Sequence, residues 1–124
     1  KDYQLPDTMI TCGSVPHSWL FRQGYAVIHH CGFGTASAAM IYGIPSIPVP
    51  HVLDQIGFAK QLEALKVSTK LLSSSKLSES LIIVAIHELD SNYDELFDNV
   101  QKLSFKLQDE KGLEKAVHLI EKAI

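Results

Sequence analysis

The sequence predicts one α/β domain, a parallel sheet of about four strands with flanking helices and a helical C-terminus. Three observations predict it. Short apolar and β-branched runs alternate with helix-like segments through residues 1–75, and the connections are only a few residues long, which favours parallel pairing through right-handed crossovers. From residue 76 to the end the apolar spacing turns helical. At 124 residues and 46% apolar composition, the chain is long enough for one real core and too short for two ordinary domains.

In order, Met9-Ile10-Thr11-Cys12 is an apolar, β-branched run stopped by Gly13, and it reads as a first strand. Pro16 suits the opening turn of a short helix carrying Trp19, Leu20 and Phe21, with Gly24 closing the segment. Tyr25 to Ile28 reads as a second strand ending at His29. Ala36 to Tyr42 is a helix stopped by Gly43 and Pro45, and Ser46 to Val49 is a third strand whose prolines put its end near a loop. Asp54 is placed to cap a helix running to Leu65, and Ser68 to Leu72 supplies a fourth strand. Three helices follow: Ser78-Glu79 opens a run to Leu89, Leu96-Val100-Leu103-Leu107 keeps helical spacing, and Leu113-Ala116-Val117-Ile120 does so after Gly112. These three stripes read as core, and Trp19 reads as core beside Leu20.

The net charge of −3 supplies no basic field for nonspecific nucleic-acid or anionic-membrane binding. Residues 1–75 carry five Lys/Arg against four Asp/Glu, and residues 76–124 six against ten, so the acidic half reads as a solvated helical surface. Cys12 and Cys31 make no disulfide framework and suit reduced thiols, which favours a cytosolic setting. No apolar stretch approaches the length of a membrane span, and no signal peptide is evident, so a soluble piece is expected. The start at Lys1 without Met suggests a piece cut from a longer chain.

The most telling segment is His29-His30-Cys31-Gly32-Phe33-Gly34-Thr35. A strand ending in histidines and a glycine-rich turn that opens a helix directs free backbone N–H groups and a positive dipole end at one point, where an anion belongs. Ser14, His30 and the stretch Pro50 to Gln55 all fall at carboxyl ends of strands, the rim where parallel sheets bind ligands. His51, His87 and His118 are scattered without ligand spacing, so no metal site is expected. A Cys31–His30 nucleophile is disfavoured, because adjacent residues on an extended chain point oppositely. His29, on the strand before the turn, reads as a hydrogen-bonded structural histidine.

Four ordered motifs carry a resemblance: Val15-Pro16-His17-Ser18-Trp19-Leu20-Phe21, the His29–Thr35 turn, Gly43-Ile44-Pro45-Ser46, and Pro50-His51-Val52-Leu53-Asp54-Gln55. Together they resemble the C-terminal donor-binding domain of UDP-glycosyltransferases, most of all the sterol glucosyltransferases and bacterial antibiotic-type enzymes. The resemblance covers residues 9–72 by motif and extends to the end by helix pattern. It implies a Rossmann-like sheet forming the C-terminal part of a GT-B glycosyltransferase, with residues 1–124 as a single domain: 1–75 the α/β part and 76–124 the C-terminal helices. It also implies an N-terminal acceptor domain that this chain lacks and that carries the catalytic histidine, so no catalytic residue lies here and the isolated piece should be inactive.

By position, the resemblance assigns uracil contact to the loop of Val15 and His17, diphosphate contact to His30, Phe33, Gly34 and Thr35, and sugar hydroxyls to Asp54 and Gln55. The chemistry suits these residue types. Sugar transfer gathers positive charge at the anomeric carbon and negative charge on the departing diphosphate, so donors placed at that diphosphate favour the transition state. Gly32 and Gly34 would allow close backbone approach and unusual φ values, Asp54 would accept paired hydroxyl hydrogens, and Gln55 would both donate and accept. Ala38 stands where plant members carry a ribose-binding glutamate, and Phe33 is bulkier than the usual Ala or Ser, which limits it to its backbone N–H.

The function implied is transfer of a hexose, glucose foremost, from a UDP-sugar to a lipophilic alcohol such as a sterol, without metal or other cofactor. The alternatives are a nucleotide-sugar-binding subunit completed by a partner chain and a noncatalytic α/β interaction module. The expected setting is cytoplasmic, with the full-length protein peripheral to a membrane, and the last helix is expected to leave an apolar face for the absent domain. UDP versus dTDP, the hexose, the acceptor, the ribose contact and the oligomeric state stay open.

Overall fold

The computed structural model describes residues 4–124. Its elements in order are α1 (His17–Leu20), β1 (Val27–His29), α2 (Phe33–Tyr42), β2 (Ser46–Pro48), α3 (Leu53–Ala64), α4 (Glu79–Ser91), α5 (Tyr93–Asp109) and α6 (Gly112–Ala123), with a 3₁₀ turn over Ser74–Lys76. β1 and β2 pair in parallel with Val27 opposite Ser46 and His29 opposite Pro48. Their exits are tied together, the Val49 N–H donating to His29 O at 2.8 Å.

The parallel α/β class is as expected, but the sheet is shorter. Ser68 joins β2 through a bridge to Ser46, with Ser46 N–H to Val67 O and Thr69 N–H to Ser46 O holding it. Pro48 has no N–H to extend that ladder, and the next bond, Leu72 N–H to Pro48 O, comes one residue later than a regular parallel ladder requires. The segment expected as a fourth strand is therefore a single bridge followed by irregular chain.

Met9–Cys12 is not a strand. It is exposed, with Ile10 at 89%; the Met9 N–H turns back to Pro6 O at 2.8 Å and no strand among the described residues pairs with it, so an extended conformation gains no ladder there.

Side chains alternate across the sheet, so Val27, His29, Ser46 and Pro48 share one face while Ile28 and Ile47 share the other. On the first face α2 lays down small residues: Ala38 and Ala39 pack with Phe21, Ile44 and Val27, and Ala36 packs with Cys31, Val67, Val100 and the α3 residues Ala59 and Leu62. On the second face Ile47 is covered by Ala85 and Leu89 of α4 and Leu96 of α5.

The end of α2 is fixed by α5. Gly43 closes the helix at φ 71°, the left-handed conformation glycine tolerates, and the Gln101 amide donates to its carbonyl at 2.8 Å. A Cβ at Gly43 would lie 2.6 Å from that amide nitrogen. Ser104 Oγ and Gln108 Nε2 both donate to Ile41 O.

Three further expectations give way. Trp19 is 60% exposed, because the one-turn helix α1 turns Phe21 rather than Trp19 into the core. The stripe on α6 is not core: Leu113, Val117 and Ile120 are all exposed, since the chain enters α6 through Lys111 at φ 47° and nothing among the described residues covers it. Asp54 does not cap α3. The helix begins at Leu53, with Val52 as its N-cap residue and Asp54 in the first turn.

Candidate functional site

Because β1 and β2 run parallel, the turn leading into α2 and the loop leading into α3 leave the same edge of the sheet. The aromatic pair Phe33 and Phe58, ring centroids 5.6 Å apart, joins the first turn of α2 to α3. α1 leads the chain to Phe21, which is packed in the core, and then to the entry of β1, with His17 opening α1 and Val15 just before it. Val15 is half-buried, and His17 is exposed with its ring stacked on Phe21 at 4.7 Å.

At the turn itself, the unusual backbone conformation falls on Cys31, not on glycine. Cys31 has φ 64°, whereas neither Gly32 nor Gly34 has a positive φ. Gly32 allows close approach: the His30 ring lies against it, so that a Cβ would meet Nε2 at 2.5 Å unless the exposed ring moved. Gly34 faces open space, with nothing within 4 Å of where its Cβ would be. α2 starts with no side-chain cap, and its first helical bond runs from Ala36 N–H to Gly32 O. The N–H groups of Phe33, Gly34 and Thr35 therefore emerge uncapped at the positive end of a ten-residue helix that follows the exposed His30, and Thr35 is half-buried. Phe33 itself is 69% exposed.

Behind the turn, sequence reasoning identified His29 as hydrogen-bonded but missed its partners. His29 is 7% exposed, accepts the Cys31 N–H at Nδ1 (3.0 Å) and meets Ser46 Oγ through Nε2 (3.0 Å). Burial, with a smaller contribution from the neighbouring His30, lowers its pKa to about 4. Cys31 is fully buried, its thiol directed at His29 O at 3.7 Å, and burial pushes its pKa up to about 11, which suits a packed thiol rather than a nucleophile. The alternation that sets residues 27 and 29 beside 46 and 48 is the signal that pairs His29 with Ser46.

On the second loop, Asp54 is exposed in the first turn of α3 and Gln55 is half-buried. Gln55 Oε1 accepts the N–H groups of His51 (2.9 Å) and Val52 (3.3 Å), as a glutamine at the third helical position commonly does. Its oxygen is thus committed, and the Nε2 donors are what it can offer a ligand. The expectation that Gln55 both donates and accepts narrows to donation.

Away from the rim, a recess of about 300 Å³ lies near the bridge residue Ser68 and is lined by Glu63, Lys66, Lys70, Glu88 and Glu95. Several of its polar groups are already bonded: Lys66 pairs with Glu95 at 2.8 Å, Glu88 accepts the Lys70 backbone N–H, and Glu63 accepts the Leu71 N–H. Among the described residues no group of three His, Cys, Asp or Glu side chains is arranged to hold a metal ion, and no helix is long and apolar enough to cross a membrane.

Comparison with known proteins agrees with this architecture. Residues 2–106 match the family described as erythromycin biosynthesis protein CIII-like, C-terminal domain. The chain is 32% identical over 121 residues to a sterol 3-beta-glucosyltransferase of Candida albicans and 33% identical over 116 residues to one of Pichia angusta. Those matches take in 96% and 94% of this chain but only 8% and 9% of the relatives. Among solved structures, the spinosyn forosaminyltransferase SpnP superposes on 99% of the chain with a TM-score of 0.89 at 18% identity, over 33% of its own length. The glycosyltransferase SnogD from Streptomyces nogalater superposes on 98% with a TM-score of 0.74 at 20% identity, over 32% of its length. A match that runs through every element of the rim makes this chain a member of the erythromycin biosynthesis protein CIII-like C-terminal domain family, with the fold of the C-terminal domain of GT-B glycosyltransferases.

Proposed function

We propose that the chain is the donor-binding part of a UDP-sugar-dependent glycosyltransferase that moves a hexose, glucose foremost, to a lipophilic alcohol of the sterol class. The observation that carries the reading is the uncapped start of α2 with His30 set against Gly32. On this reading the three open backbone donors, the Thr35 hydroxyl and the His30 imidazole would meet a diphosphate there. As the sugar leaves, the growing negative charge on that diphosphate is met by donors already in position, so the stabilisation is greater in the transition state than in the ground state. Asp54 accepts hydroxyl hydrogens and Gln55 donates through Nε2, a complementary pair for a hexose. The loop of Val15 and His17 takes the base.

The sterol acceptor is supported by the names of the curated relatives, and it would bind in an N-terminal domain together with the catalytic residue. The reading meets the diphosphate charge with protein donors and needs no cofactor. It fits a cytoplasmic protein peripheral to a membrane, where a lipophilic alcohol is met. The test is calorimetric binding of UDP: His30→Ala and Thr35→Ala should each weaken it by roughly 1–3 kcal/mol, as expected for loss of a charge-assisted contact. Unchanged affinity in both variants overturns the assigned roles.

A further inference from the structure

We infer that His29 is a positioning residue for the diphosphate turn, holding Cys31 in its left-handed conformation and thereby fixing the direction of the α2 N-terminus and the seat of His30. The inference rests on the donor-site reading above.

The argument starts from the proton. A backbone N–H can only donate, so the 3.0 Å contact from Cys31 N makes His29 Nδ1 an acceptor, and the neutral ring carries its hydrogen on Nε2, which donates to Ser46 Oγ. The imidazole is a strut with one end on β2 and the other on the second residue after β1. Cys31 needs such a strut. A side chain at φ 64° is strained, and the conformation persists only where its surroundings over-determine it. Here the surroundings are the His29 ring at the amide, the His29 carbonyl facing the thiol, and complete burial of the side chain. Immediately beyond Cys31 come Gly32, against which the His30 ring lies, and the three open amides of α2. A histidine that merely filled the core would leave those amides indifferent to which of its nitrogens accepts; a strut would not.

The two roles separate through side-chain reach. The Oδ1 of asparagine occupies about the place of Nδ1 and can accept the Cys31 N–H, whereas the carboxamide of glutamine reaches the place of Nε2 and leaves that N–H without its acceptor. In the 124-residue chain, His29→Asn should keep UDP affinity within roughly threefold of the parent, and His29→Gln should lose roughly tenfold, the scale of one lost hydrogen bond that orders a site. Without nucleotide, the amide resonances of Cys31, Gly34 and Thr35 should move in His29→Gln and hold in His29→Asn.

If His29→Gln binds UDP as the parent does, the inference is overturned and the donor-site reading stands. If the parent itself binds no UDP, the donor-site reading is overturned, and the inference with it unless the same three amides respond to His29→Gln. Should neither His29 variant fold, Ser46→Ala carries the test. Removing the far end of the strut should weaken UDP binding and shift the Cys31 amide; no change in either overturns the inference.

Discussion

His29 is buried behind the turn and bonded to the Cys31 N–H and Ser46 Oγ, and its ionisation has a measurable consequence for stability. Its pKa is lowered from the ordinary 6.5 to about 4 by burial first and by the neighbouring His30 second. The groups facing the ring are the Cys31 amide, Ser46 Oγ and His30, and none of them is an anion that could hold the protonated form. The unfolded chain therefore takes up the proton at a higher pH than the folded one. The stability contributed by the neutral ring is complete above pH 6.5 and is lost as the pH falls from there toward 4, by on the order of 3 kcal/mol in total. Urea midpoints measured across that window should show the slope in the parent and a flatter one in His29→Asn; parallel slopes would contradict it. The turn between β1 and α2 was legible in the sequence, because glycine spacing and the strand-to-helix change are local. What was not legible was which residue takes the strained φ. The sequence points to Gly32 or Gly34, yet the chain places Cys31 there, because its strain is offset by hydrogen bonds to a histidine two residues earlier and by burial.

Among elements, α3 shows how a residue proposed to bind the sugar can also be a structural cap. Gln55 spends Oε1 on two loop amides, which fixes the His51–Val52 entry and leaves the Nε2 donors as what the side chain can offer a ligand. Gln55→Glu keeps the acceptor and adds a charge favoured at a helix N-terminus, so thermal stability should be retained within about 0.5 kcal/mol. The same change removes the only donor, so the preference for UDP-glucose over UDP should shrink, as competition binding would show. Retained preference with Glu in place would remove Gln55 from the sugar site. Element boundaries explain the remaining differences from the sequence reading. Helices such as α2 and α5 satisfy their own backbone groups and were recognisable from apolar spacing, Gly43 and Pro45. A strand needs a neighbour to exist. Met9–Cys12 has the composition of a strand but no ladder partner among the described residues, and Pro48 cuts short the pairing of Ser68–Leu72.

For the whole molecule, the two faces of the sheet are covered by α2 and α3 on one side and α4 on the other, with α5 contributing to both through Val100 and Leu96, so the rim stands on a core that α6 does not help to build. Removing residues 112–124 should therefore leave the unfolding free energy from urea titration within about 0.5 kcal/mol of the parent, because surface groups without buried contacts contribute little. A larger loss would show that the Leu113, Val117 and Ile120 stripe packs against the body after all. The central claim is that the rim beyond β1 and β2 holds a nucleotide diphosphate at the start of α2 with a sugar beside α3. It is tested most directly by following the amide resonances of the 124-residue chain during titration with UDP, with UDP-glucose and with dTDP. The account predicts shifts at Val15–His17 and His30–Thr35 with UDP, and movement at Asp54 and Gln55 only when the glucose is attached. Shifts confined to other parts of the chain, or none with any of the three nucleotides, would contradict it.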